Sequence, residues 1–188
     1  PNAGTVIDGN RFDEYMAARG KLFDGIRADE NAMSFAKNMN PNNYQQNPNQ
    51  PQPTMGEAFG MFDGFGKVFE IMTQELDQEK MSLNEYDYYK TKLYWLIFHA
   101  AMQGDQEYQN IYNQIESAHG YTLTDWTKSQ NEIVTTTFDF ADMQDIDKTT
   151  APTDEELALL EEHKEQLDKN LDLLSIELFI DSSTSGGF

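Results

Sequence analysis

The side chains able to do chemistry are few in kind. The chain carries 33 carboxylates against 13 Lys and Arg, three histidines and no cysteine. Without cysteine, disulfides, thiolate nucleophiles and zinc–thiolate sites are excluded. Glu116 and His119 stand three residues apart, which on a helix puts them on one face. A di-iron carboxylate bundle takes such a pair from each of two helices. Leu96 and Leu160 occupy the corresponding places before His99 and His163, so no second pair exists. His99 lies in an apolar run and reads as a satisfied core histidine, and His163 flanks an apolar stripe.

Asp145, Asp147, Thr149 and Glu156 match the first, third, fifth and twelfth positions of a calcium loop, a ring of hard oxygen donors. Thr150 stands where that loop needs glycine for its sharp turn, and Pro152 where its apolar residue belongs. The segment reads as a solvated acidic loop ahead of a capped helix. Those four residues are its weak Ca²⁺ candidate, and no cofactor is assigned. The nucleophile-elbow Gly-x-Ser-x-Gly and the zincin His-Glu-x-x-His patterns are absent. Gly56, Gly60, Gly64 and Gly66 lack the strand–turn–helix setting and the Gly-Lys-Ser/Thr ending of a phosphate loop. Paired carboxylates do acid–base work only in a cleft with displaced pKa values. The expected class is non-enzymatic.

Two other groups are candidate contact residues. The aromatic side chains Tyr86, Tyr88, Tyr89, Tyr94, Trp95 and Phe98 crowd one stretch, with Tyr108, Tyr112, Tyr121 and Trp126 following. Aromatic rings dominate small helical cores by buried area, and they also hold cations and protein partners. Tyr86, Tyr88, Tyr89 and Trp95 are the contact candidates, beside a core-packing alternative. The second group is acidic. The net charge is −20, of which residues 121–188 hold −12, residues 54–120 hold −7 and residues 1–40 hold −1. Asp142, Asp145 and Asp147 are the acidic contact candidates. Such a field repels phosphate backbones and anionic headgroups. It favours a basic protein partner over direct nucleic-acid or membrane-surface binding.

Helices must position these residues. Gly9–Met39 has Phe12, Tyr15, Met16, Leu22, Phe23 and Ile26 at helical spacing, and Gly20 or Gly25 is the expected place for a kink. Arg11, Arg19 and Arg27, the only arginines, are expected to form ordinary surface ion pairs with the acidic C-terminal region. Asn38–Pro53 has four prolines and no charge, so it reads as a linker loop. Thr54 and Glu57 suggest a capping box, followed by an inward stripe of Ala58, Phe62, Phe65, Phe69, Met72 and Leu76. The glycines at four-residue spacing would let another helix approach closely. Ser82 with Glu85 and Thr153 with Glu156 suggest two more capping boxes. Helices are expected over Leu83–Gln103, from Asp105 to before Gly120, over Thr122–Asn131, and over Asp154–Ile180. Ile133–Phe140 reads as an extended connection.

The expected fold is therefore mainly α: a single-domain bundle of about five helices joined by short links. Residues 1–37 form an N-terminal helical segment, 38–53 the linker, 54–181 the main bundle and 182–188 a flexible tail. The longest apolar run, Leu93–Met102, is shorter than the ~20 residues a bilayer-spanning helix needs. A start at Pro1 fits a removed export or lipid-anchor leader, or a trimmed initiator Met. An extracytoplasmic, envelope-associated location is expected over a cytoplasmic one. The expected function is an acidic interaction protein, either an accessory or scaffold subunit or a processed envelope protein. Two alternatives are a ligand-binding module using the aromatic cluster and an acidic decoy of a nucleic-acid-binding protein. An unrecognised hydrolase is a third.

Overall fold

Asp29 breaks the first long helical stretch. Its side chain accepts from the amides of Asn31 and Ala32, at 3.0 and 2.9 Å, while its own backbone is extended. A short acidic side chain that satisfies two orphan N–H groups starts a new helix, worth about 1 kcal/mol. The computed structural model describes residues 7–39, 55–136 and 150–177, without the side chains of 55–61 and 135–136. It shows α1 (Gly9–Ala28), capped by Asp8, and α2 (Glu30–Asn38). Helix α1 runs through Gly20 and Gly25 without a break, and the break falls at Asp29. Those glycines serve close packing: a Cβ would lie 2.8 Å from Gln166 Nε2 at Gly20 and 2.8 Å from Ile71 Cγ2 at Gly25.

The remaining elements are α3 (Met55–Gln78), α4 (Leu83–Met102), α5 (Gln106–Ala118), α6 (Gln130–Thr136), α7 (Asp154–Glu162), α8 (Lys164–Lys169) and a 3-10 turn, Leu171–Leu173. No strand occurs among the described residues. The class is mainly α. Of the expected linker 38–53, Asn38 ends α2; residues 40–53, Thr54, the Glu57 side chain, the acidic residues 137–149 and the C-terminal residues 178–188 lie outside the described residues.

Helix α4 forms the centre. From Tyr89 to Ala101 every residue is buried, as befits a helix covered on all sides. Helix α1 packs on it from one side, and α5 and α7 pack on it as well. Helices α2 and α1 also pack on α3. Gly104, at φ 94°, and the Asp105 cap make the tight turn that folds α5 back on α4. Only glycine takes that left-handed conformation without a Cβ penalty. One apolar cluster runs from Ile7 to Ile176 and includes Phe12, Tyr15, Phe23, Phe98 and Tyr112. Truncating a fully buried ring such as Phe98 to Ala typically costs about 3–5 kcal/mol.

Three expected elements differ. Ser129 and Glu132 form a reciprocal cap: Ser129 N donates to Glu132 Oε2 at 3.1 Å, and Glu132 N to Ser129 Oγ at 3.4 Å. Helix α6 therefore starts at Gln130, and Tyr121–Lys128 is irregular rather than helical. Residues 133–136 are helical rather than extended. The long last helix is broken at His163 and Asn170, both near φ −100° to −109° with ψ 8°. Bonds to α1 bend it: His163 Nε2 meets Asp13 Oδ1 at 2.9 Å, and Asn170 Oδ1 accepts from Arg27 Nη1 at 2.6 Å. Tertiary bonds of this kind outweigh helix propensity.

Candidate functional site

Among the described residues the three buried carboxylates, Glu116, Glu156 and Glu177, are each held by a neighbour. Glu116 is 1% exposed. It accepts from the Thr124 amide at 2.9 Å and from its hydroxyl at 2.5 Å, so it clamps the loop after α5. Burial pushes its carboxyl above the ordinary range, against the pull of the Thr124 bonds. His119 Nδ1 contacts Ile115 O at 2.7 Å, and the ring stacks on Tyr121. The Glu116–His119 pair is thus built into a loop anchor. Glu156 closes the capping box with Thr153 and also accepts from Ile7 N at 3.1 Å. Both of its oxygens serve backbone amides and the residue is 4% exposed, so Glu156 is engaged at the start of α7. Asp145, Asp147 and Thr149 lie outside the described residues. Among the described residues no group of three His, Asp or Glu stands close enough to hold a metal.

Arg19 departs furthest from expectation. Its partner is C-terminal and acidic, but the pair is buried, not superficial. Nε donates to Glu177 Oε1 at 2.6 Å and Nη2 to Oε2 at 3.3 Å, while Tyr94 donates its hydroxyl to Oε2 at 2.5 Å. The guanidinium also lies 4.8 Å from the Phe23 ring centre. Burial would raise the Glu177 carboxyl, but the charge and hydrogen bonds of Arg19 outweigh it and hold the group below the ordinary range. Arg27 does pair with Asp172, at 2.6 Å, whereas Arg11 turns to Glu85 and Glu14. Glu85 is therefore spent on Arg11, and Ser82 caps α4 with its hydroxyl alone, at 3.2 Å from Glu85 N.

Of the aromatic candidates, Tyr86, Tyr89 and Trp95 are buried, at 1%, 6% and 4% exposure. Tyr15 of α1 packs on Tyr86 and Tyr89, and Trp95 packs on His99, so all three belong to the apolar core. Tyr88 is half-buried. His99 lies between Trp95 and Phe98, with ring centres at 5.1 and 5.7 Å. Burial lowers its pKa to about 4. Ser34 and Lys37 on α2 stand in the Ser-x-x-Lys spacing of some acyl-transfer enzymes. Both are exposed, whereas such chemistry needs a desolvated lysine.

Two features remain on the outside. Asp142, Asp145 and Asp147 lie outside the described residues, but the acidic excess is displayed on α7, α8 and the turn after them. Asp154, Glu155, Glu161, Glu162, Glu165, Asp168 and Asp172 are all exposed. The other feature is the outer face of α3. Gly64, Val68, Met72 and Leu76 are buried, while Phe62 is 73% and Phe69 48% exposed. The expected inward stripe is therefore split. Gly64 sits so close to α2 that a Cβ would be 2.5 Å from Asn31 O and 2.6 Å from Phe35 Cβ. That contact fixes which face of α3 turns inward. Leu76 shares the heptad position of Phe62 and Phe69 but is covered, because Met81 folds back and donates its amide to Leu76 O at 2.9 Å. Lys80 makes that turn possible at φ 49°. A groove of about 240 Å³ opens beside it, lined by Phe69, Met72, Leu76, Met81 and Leu83, with Asp77 at the edge.

The fold and these surfaces describe an acidic α-helical bundle with an apolar face that no described residue covers. Comparison with protein families, curated proteins and solved structures finds no match to the chain.

Proposed function

We propose that the chain is a non-enzymatic interaction protein, an accessory or scaffold subunit that docks on a protein partner. The observation that carries this reading is the pair Phe62 and Phe69, 73% and 48% exposed on one face of α3 beside a methionine-lined groove. Large rings on a well-formed helix are costly to leave in water, and exposed apolar patches mark interaction sites. The acidic exterior supports a basic partner and works against nucleic acid. No helix among the described residues is long and apolar enough to cross a membrane. Burial of Tyr86, Tyr89 and Trp95 withdraws support from the aromatic ligand-binding alternative.

Purification from the native source, with sequencing of the unprocessed N-terminus, tests the proposal. A partner recovered in fixed ratio supports it. A chain recovered alone under gentle, low-salt conditions contradicts it.

A further inference from the structure

Resting on the reading of the chain as an interaction protein, we infer that the α3 face and its groove receive a basic amphipathic helix of a partner protein. Phe62, Phe69 and Leu76 recur every seven residues. Phe62 and Phe69 are exposed and Leu76, 7% exposed, lines the groove, so at about 1.5 Å per residue the rings and groove together run roughly 20 Å along α3. That length suits about four turns of a docked helix, anchored at i, i+3 or i+4 and i+7. Met72 and Met81 supply soft, adaptable walls.

The rim selects the charge of the occupant. Asp63 and Asp77 are exposed, and neither has an ion pair among the described residues. Of the neighbouring cations, Lys67 pairs with Glu70 at 3.1 Å and Lys21 with Glu79 at 2.5 Å, while Lys80, three residues after Asp77, is exposed at the end of the strip. Residues 62–80 carry five acids (Asp63, Glu70, Glu75, Asp77 and Glu79) against two lysines (Lys67 and Lys80), so the rim keeps an acidic excess of three charges. A second copy of the chain would bring the same acids, and another −20 of charge, against them. An anionic bilayer is repelled for the same reason. The occupant that satisfies both strip and rim is a helix apolar along one face and lysine- or arginine-bearing along its edges.

A synthetic helical peptide of about 18 residues, with leucines at these spacings and lysines elsewhere, is the probe. It is titrated calorimetrically into the full chain at about 0.15 M salt. Its counterpart carries glutamate in place of lysine. The expected result is one-to-one binding of the Leu/Lys peptide and none of the Leu/Glu peptide. Phe62→Ser with Phe69→Ser should weaken binding about tenfold or more, with an unchanged circular dichroism spectrum because both rings are exposed. Asp63→Asn with Asp77→Asn should weaken it too and flatten its salt dependence. Equal affinity for the wild type and the Phe62→Ser/Phe69→Ser chain overturns the inference, since attraction would then be to the acidic surface at large. A concentration-dependent dimer dissolved by the same substitutions also overturns it, in favour of a second copy. A native complex that survives those substitutions removes this groove and leaves the interaction reading standing. A chain with no native partner removes that reading itself.

Discussion

Arg19 and Glu177 meet across 158 residues of chain, Nε to Oε1 at 2.6 Å, with side chains 1% and 0% exposed. A charge withdrawn this far from water is tolerated only with its partner in place. The pair therefore ties the end of the described chain to α1 with a geometry that Tyr94 completes.

Arg19→Met should destabilise the protein by about 3–5 kcal/mol, because it strands the Glu177 carboxylate in the core. Arg19→Met combined with Glu177→Leu should cost far less, since neither member of the pair is then left buried without the other. Tyr94→Phe should cost about 1–3 kcal/mol, the loss of one hydrogen bond to a charged group. Urea unfolding midpoints at neutral pH measure all three. The low pKa of Glu177 adds a pH limit. Its contribution is present above the unfolded value of 4.5 and is lost as pH falls through the folded value.

His99 gives a second, separable pH dependence. The unfolded chain takes up this proton near 6.5, whereas the folded one does so only near 4, because burial opposes the charge. As pH drops between those values the unfolded state binds more protons, so stability falls. His99→Leu, neutral throughout, should flatten the decline in melting temperature between pH 6.5 and about 5, a range in which most carboxylates remain ionised. An unchanged slope would place the titrating group elsewhere.

Two glycines on α3 should respond in opposite senses. At Gly64 an added Cβ meets the backbone oxygen of Asn31 at 2.5 Å, which cannot swing away. Gly64→Ala should therefore destabilise by about 1–3 kcal/mol. At Gly66 nothing lies within 4 Å, so Gly66→Ala should stabilise by about 0.5–1 kcal/mol through helix propensity. Thermal melts of the two single variants decide this.

Much of the fold is legible in local chemistry. The Thr153–Glu156 box, the Asp105 start and the apolar spacings of α4 and α5 all act within a few residues, and all are present in the structure. Ser129 with Glu132 was equally readable as a cap, but the β-branched residues after it favoured an extended segment. What sequence could not supply is long-range. The burial of Arg19 depends on Glu177, and the bends at His163 and Asn170 depend on Asp13 and Arg27. The face of α3 is the clearest case. Phe62, Phe69 and Leu76 are equivalent by period, and only the approach of α2 at Gly64 and the return of Met81 decide which are covered. The excess of apolar residues over one helix face was the available sign that part of α3 stays outside. Among the candidate contact residues, Tyr86, Tyr89 and Trp95 are buried, because Tyr15 of α1 packs on Tyr86 and Tyr89 and α4 is enclosed from Tyr89 to Ala101.

The affinity of the natively recovered partner for the wild-type chain and for Phe62→Ser with Phe69→Ser, measured at about 0.05 and 0.15 M salt, tests the central claim most directly. The account predicts that affinity falls about tenfold or more with the substitutions. It also predicts weakening as salt rises, since exposed charge steers the encounter. Binding that survives both changes would contradict it.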